Sequence, residues 1–286
     1  MANAFDFATL LNEIHNLTAS TVMTLDDNDN TYLHHVVQYP CKDTANIVRR
    51  LMRQHVIVDH QNIFGQTVFQ LAARHCAPDI LEILFNEPGD FFNRSQEIDL
   101  DDVHGNTLAH YASAQNIEII SIYDFNLNKK NNNGRTPLME AIVKKDIEKI
   151  IQLLEFGANP NISDSEGNNA IHYSLLIAKE SIEDFNKILQ KFIEIHSTIR
   201  CTDEGLTAKQ SSSSNFIQTN RYGNTILDNA IQSNMIDATR IIWNTWCYKI
   251  QHLDRWFNSV GGLNPQMRTL LKTLSESRTS FKTRYA

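Results

Sequence analysis

Residues Gly105 to Ala112 read GNTLAHYA, and sixty-two residues later Gly167 to Ser174 read GNNAIHYS. Reuse of a segment at this distance constrains the fold more than any local propensity, because a repeated unit of this size must bury its apolar face against copies of itself. Aligned with these are GQTVFQLA from Gly65, GRTPLMEA from Gly134, GNTILDNA from Gly223 and, more loosely, DNTYLHHV from Asp29. The starts at 29, 65, 105, 134, 167 and 223 are separated by 36, 40, 29, 33 and 56 residues. The underlying period is therefore near 33, with insertions and one deletion.

The most complete unit is NNNGRTPLMEAIVKKDIEKIIQLLEFGANPN, Asn131 to Asn161. Gly134 suits a tight turn that needs positive φ. Thr136 is placed to cap the following helix, and Pro137 fits its first position, where a missing N–H does no harm. Leu138, Ala141 and Ile142 recur at helical spacing; Ile147, Ile150, Leu153 and Leu154 form the apolar stripe of a second helix, which Gly157 ends. Two helices this short cannot bury their own apolar faces, so stacking must stabilise them.

This unit resembles the ankyrin repeat, with its turn, G-x-T-P-L-H-x-A, short helix, second helix of L-E-x-V-x-x-L-L type and G-A-D-x-N. The Gly65, Gly105, Gly167 and Gly223 units share the register, so the resemblance covers roughly residues 26 to 245. It implies an all-α solenoid of about five to six divergent helix-turn-helix repeats. It also implies that His34, His110 and His172, at one helix-start position, hydrogen-bond neighbouring loop backbone and carry no catalysis or metal. Tyr111 and Tyr173 follow them, at a position that tends to face the concave side.

Several stretches depart from the pattern. The Gly105 unit reaches Asn128 about four residues early, which predicts a short second helix around Ile117 to Phe125 and a kink there. An insertion near 86–101 holds Phe91 and Phe92, which either form part of a binding loop or fold back over helix ends. An aborted repeat is expected near 200–218, where Asp203 to Thr207 begin a turn that a Ser run follows. Residues 1–25 read as an N-terminal helical cap, with Phe7, Leu10, Leu11 and Ile14 on one face. Residues 246–286 read as a C-terminal helical cap with a basic tail, and Trp243, Trp246 and Trp256 as cap core or exposed anchor.

Charge and motifs narrow the function classes. Residues 247 to 286 carry seven Lys or Arg against two acids, which leaves −12 for residues 1 to 246. An acidic body is a poor general binder of nucleic acid, whose phosphates call for Lys and Arg. No apolar run nears the roughly eighteen residues of a membrane span, so no membrane insertion is expected. Cys41, Cys76, Cys201 and Cys247 form no C-x-x-C pair, which suggests free thiols in a cytoplasmic setting. No Gly-rich phosphate loop, H-E-x-x-H or G-x-S-x-G occurs, and Cys201 near His196 is weak as a nucleophile pair. We therefore expect a non-enzymatic, monomeric module or scaffold with no cofactor, no metal and no small-molecule substrate.

Its partner should be another protein, read by the groove and the variable turn tips. The candidate contact residues are Phe64, Gln66, His104, Asn106, Asn133 and Arg135 from the first four turns. Glu166, Asn168, Arg221 and Tyr222 come from the later turns, with Tyr111, Tyr173 and Glu140 on first helices. The alternative is a host-directed bacterial or viral effector acting in a host-cell cytosol, whose C-terminal segment carries the activity or the translocation signal.

Overall fold

The computed structural model describes residues 25–53, 58–86, 100–202, 216, 218–246 and 263–284, with side chains through 195 in the long central helix, through 245 in the penultimate helix and through 274 in the last. The expected N-terminal cap, the insertion with Phe91 and Phe92, and the turn at Asp203 to Thr207 lie outside the described residues. So do Cys247, Trp256 and the side chains of His196, Cys201 and Trp246. The described residues are helical, with one isolated bridge between Ser163 and Asn169. Two compact units divide at Asn133 and Gly134.

In the first unit, residues 1–133, three repeats pair a first with a second helix. They are α1 (Tyr32–Gln38) with α2 (Thr44–Met52), α3 (Val68–His75) with α4 (Pro78–Asn86), and α5 (Leu108–Tyr111) with α6 (Ile117–Ile122). First helices pack on first helices and second on second: α1 on α3 on α5, and α2 on α4 on α6. Between the layers Phe85 stacks on Phe69 at 5.4 Å and meets Tyr123 and Phe125 at 4.4 and 5.5 Å. The short second helix expected after Gly105 is α6, six residues long after a 3₁₀ turn over Ala114–Asn116.

The second unit, residues 134–286, stacks α7 (Pro137–Lys144) with α8 (Ile147–Glu155), α9 (Ala170–Tyr173) and α10 (Leu175–Ala178) with α11 (Ile182–Thr202), and α12 (Ile226–Gln232) with α13 (Ile236–Trp246). In α11, Phe185, Ile188, Leu189 and Phe192 repeat at helical spacing and are fully buried. The 56-residue spacing comes with this 21-residue helix: residues 200–202 close it, and the Gly223 turn touches the Gly167 turn directly, Arg221 N–H donating to Glu166 O at 2.9 Å. Among the described residues no further helix pair lies between those two turns. Beyond them α14 (Pro265–Arg284) covers α13 with Met267, Leu270, Leu271 and Leu274 buried. Trp243 is buried too, as a cap-core residue.

The helix starts show why this sequence folds this way. Thr31, Thr67, Thr136, Asn169 and Thr225 cap first helices, their side chains accepting from the N–H three residues on. In three of these five helices the residue at that third position also bridges repeats. His34 Nδ1 accepts from Thr31 N–H at 3.2 Å, and Nε2–H donates to Gln66 O of the next turn at 3.2 Å. His172 does the same between Asn169 N–H, at 3.4 Å, and Asn224 O, at 3.2 Å. Gln70 substitutes an amide: its Oε1 accepts from Thr67 N–H at 2.9 Å, and its Nε2 donates to Leu100 O and Asn106 O. His110 Nδ1 accepts from Thr107 N–H at 3.1 Å. The paired histidines are thus structural parts, as the register implies.

Three outcomes follow from this packing. Leu138 is fully buried, so Leu138→Ala should cost about 2 to 5 kcal/mol, measurable by urea unfolding. Gly167 and Gly223 both have positive φ, 80° and 73°. A Cβ at Gly167 would lie 2.8 Å from Arg221 N, whereas one at Gly223 would meet nothing within 4 Å. Gly167→Ala should therefore lower stability by at least about 1 kcal/mol more than Gly223→Ala, since only there must backbone also move; equal costs would refute the direct stacking of the two turns. Burial pushes the His34 imidazole down to about 4, against about 6.5 in an unfolded chain. The unfolded state then binds the extra proton, so this contribution is complete above pH 6.5 and is lost as pH falls towards 4. His34→Gln, which copies the Gln70 bridge, should flatten the melting temperature between those pH values relative to the parent.

Candidate partner-binding surface

Each turn is organised by an Asp or Asn three residues before its positive-φ residue. Asp102 Oδ1 accepts from His104 N–H at 2.8 Å and Asn106 N–H at 2.7 Å. Asp164 accepts from Glu166 and Asn168 N–H at 2.8 Å each. Asn62 and Asn220 do the same for Phe64 and Gln66, and for Tyr222 and Asn224. Asp26 and Asn131 complete the set, and in the first turn Asp29 takes the left-handed conformation at φ 58° that glycine holds elsewhere. With the polar interior of each turn satisfied in this way, the two residues before the glycine are pushed outward as a tip.

Adjacent tips are tied by backbone. In the first unit Ile63 N–H donates to Asn28 O, Val103 N–H to Phe64 O and Asn132 N–H to His104 O, at 3.0, 3.2 and 2.9 Å. Side chains add a parallel row, with Asn62 Nδ2 donating to Asn30 Oδ1 and Asn131 Nδ2 to Asn106 Oδ1. In the second unit Asn220 Nδ2 donates to Asn168 Oδ1 at 3.0 Å. Within each unit these bonds hold neighbouring tips in order.

The expected contact residues fall into two groups. Phe64, His104, Asn133, Glu166, Arg221 and Tyr222 are exposed at tips. Gln66, Asn106, Tyr111, Arg135, Glu140, Asn168 and Tyr173 are half-buried, and the fold itself uses their polar atoms. Tyr111 OH donates to Asp102 Oδ2 at 2.6 Å and accepts from Gln66 Nε2 at 2.9 Å. Tyr173 OH donates to Asp164 Oδ2 at 2.8 Å and accepts from Arg135 Nε at 3.3 Å. Arg135 also pairs with Glu140 at 3.3 Å and lies 5.6 Å from the Tyr173 ring centre. Burial, aided by Asp102, pushes the Tyr111 hydroxyl up to about 12. Burial resists ionisation of Asp102, but hydrogen bonds led by that of Tyr111 hold its carboxyl below the usual range. Tyr111, Tyr173 and Arg135 thus brace the turns, and the fully exposed members of the set lie at the tips.

The tips of the two units differ in chemistry. In the first, Ile63, Phe64 and Val103 stand 50%, 51% and 55% exposed on neighbouring turns, a contiguous apolar stretch that their small number alone would not announce. In the second, the Arg221 guanidinium lies 4.9 Å from the ring centre of the 61% exposed Tyr222. The turn-forming Asp and Asn residues escaped the sequence reading, although the signal was there: an acid or amide stands three residues before every turn glycine. Among the described residues no cluster of three His, Cys, Asp or Glu is arranged to hold a metal, and no helix is long and apolar enough to cross a membrane.

This architecture has known counterparts. Residues 110–199 match the family model of ankyrin repeats, in three copies. An ankyrin repeat protein of fowlpox virus is 29% identical over 135 residues, 45% of this chain and 38% of that protein. An IkB-like protein of African swine fever virus is 30% identical over 119 residues, covering 38% of this chain and 48% of that one. The chain thus spans half or less of the length of these two relatives. The crystal structure of the ankyrin repeat domain of Bcl-3, a member of the IkappaB family, shares the fold with a TM-score of 0.55 and 19% identity, over 82% of this chain and 91% of that domain. The helix-pair stacks, their glycine turns and the matched segment agree: residues 110–199 carry ankyrin repeats, and the chain has the fold of an ankyrin-repeat domain.

Proposed function

We propose that this protein binds a protein partner through its turn tips and the adjoining groove, without catalysing a reaction. Ankyrin repeats are typically non-enzymatic modules for protein–protein contact, so the class of function has a family basis. The observation that carries the finer reading is the division of labour at the turns. The Asx residues, glycines and Tyr111–Asp102 type braces are consumed internally, while Phe64, His104, Glu166, Arg221 and Tyr222 are held rigidly and left exposed. Rigid, exposed aromatic and Arg side chains lose little entropy on binding and are the types that dominate hot spots.

The alternative, in which the C-terminal segment carries the activity of a host-directed effector, draws less support. Met267, Leu270, Leu271 and Leu274 of α14 are turned inward and cover α13, the behaviour of a cap. Deleting residues 247–286 would uncover this face and confuse loss of fold with loss of function, so point changes separate the readings better.

Affinity capture from the native cell with the full chain tests the proposal. Phe64→Ala with Tyr222→Ala should leave the melting temperature within about 2 °C, as exposed substitutions usually do, yet remove the captured partner. Arg268→Glu with Lys272→Glu, on the exposed side of α14, should retain it. The opposite pattern would make the C-terminal helix the working surface. Arg135→Ala is a poor probe of binding, because it also breaks the contacts to Glu140 and Tyr173.

A further inference from the structure

The tips of the first unit carry a pattern that specifies more than a protein partner. In order along the tied edge, the outward pairs are Asp27 and Asn28, Ile63 and Phe64, Val103 and His104, then the neutral Asn132 and Asn133. Asp27 and Asp29 are exposed on the first turn, and the next two present the apolar side chains. None of these tip positions holds Lys or Arg, and nearby Lys129 is paired with Asp101 at 2.7 Å. The bias extends to the whole unit: residues 1–133 hold 8 Lys and Arg against 17 Asp and Glu, net −9. Residues 134–286 hold 18 against 16, net +2.

We infer that the tip edge of the first unit docks an extended polypeptide segment whose basic end lies on Asp27 and Asp29 and whose apolar end covers Ile63, Phe64 and Val103. This rests on the reading of the tips as the binding surface and names the chemistry of what they take. Burial of the apolar trio supplies affinity, since each side chain is about half exposed in the free protein and gains by leaving water. The net −9 of the unit draws a cationic segment and disfavours an acidic one or a nucleic acid. The two turn carboxylates set the direction: a segment with its charges over Phe64 would desolvate them without a counter-ion.

The test uses the full chain and three fluorescein-labelled synthetic peptides of about twelve residues: one Lys/Arg-rich at one end and Leu/Phe-rich at the other, one with Glu for its basic residues, and one with Ser for its apolar residues. Fluorescence anisotropy should show binding of the first peptide only. Asp27→Asn with Asp29→Asn should weaken it about tenfold and remove most of its salt dependence; asparagine also tolerates the left-handed backbone at position 29. Phe64→Ser with Val103→Ser should weaken it at least tenfold, and Gln266→Ala, exposed on α14 of the other unit, should leave it unchanged. Circular dichroism melts confirm that each variant is folded. Equal binding of the Glu peptide, no binding of the first, or affinities unaltered in both double variants overturns the inference. So does sedimentation showing self-association that these variants abolish, which would make a second copy the occupant. If cellular capture still depends on Phe64 and Tyr222 while the basic-apolar peptide fails, this inference falls alone; if neither depends on the tips, the binding reading falls with it.

Discussion

The interaction on which the rest of the structure depends is the polar bridge at the third residue of a first helix. His34, Gln70 and His172 each accept a hydrogen bond from the N–H that opens their own helix and donate to a carbonyl of the next turn. A neutral imidazole and a primary amide both have an acceptor and a donor at opposite ends, and this shared property explains why either residue serves. The bridge satisfies buried backbone groups that would otherwise cost stability at the junctions of these three repeats, and so fixes how one turn sits over the next there. In the Gly223 repeat the position is Asp228, whose carboxylate accepts from Thr225 N–H and hydroxyl at 2.7 Å each. An ionised carboxylate has no donor to offer onward, which suits a turn whose glycine meets nothing within 4 Å.

Turn order follows from that junction, and the candidate surface follows from turn order. Once the Asx side chain, the glycine and the bridging residue have taken up the polar groups of a turn, only the tip pair remains to vary. Tyr111 and Tyr173 show how far this internal use reaches. Each looks like a contact residue by position, yet each hydroxyl is caught between its own turn acid and a side chain of the preceding repeat. A phenol that both donates and accepts inside the fold has little left for a partner, whereas Phe64 and Tyr222 keep more than half of their surface in water.

Much of this was legible from residues alone. The octapeptide register located the turns, Thr136 and Pro137 marked a helix start that the structure reproduces, and the spacing of Leu138, Ala141 and Ile142 identified a buried face. The early arrival of Asn128 foretold the short α6. The 56-residue interval was harder, because length alone does not distinguish an extra repeat from a second helix of 21 residues; the structure shows the long helix, and the hydrogen bond from Arg221 to Glu166 brings the two flanking turns into contact. The roles of Tyr111, Tyr173 and Arg135 were equally hidden, since their partners lie 9, 45 or 38 residues away.

What the sequence determined by itself was the unit: period, turn glycines, caps and apolar faces, all consequences of local sterics and of the 3.6-residue helical repeat, which act within a few residues. What only the tertiary structure decided was which polar side chains the stack consumes and which it leaves in water. That depends on contacts between repeats, where a difference of an ångström separates a hydrogen bond from an exposed group. The same residue type therefore reads as a brace at Tyr173 and as an open surface at Tyr222.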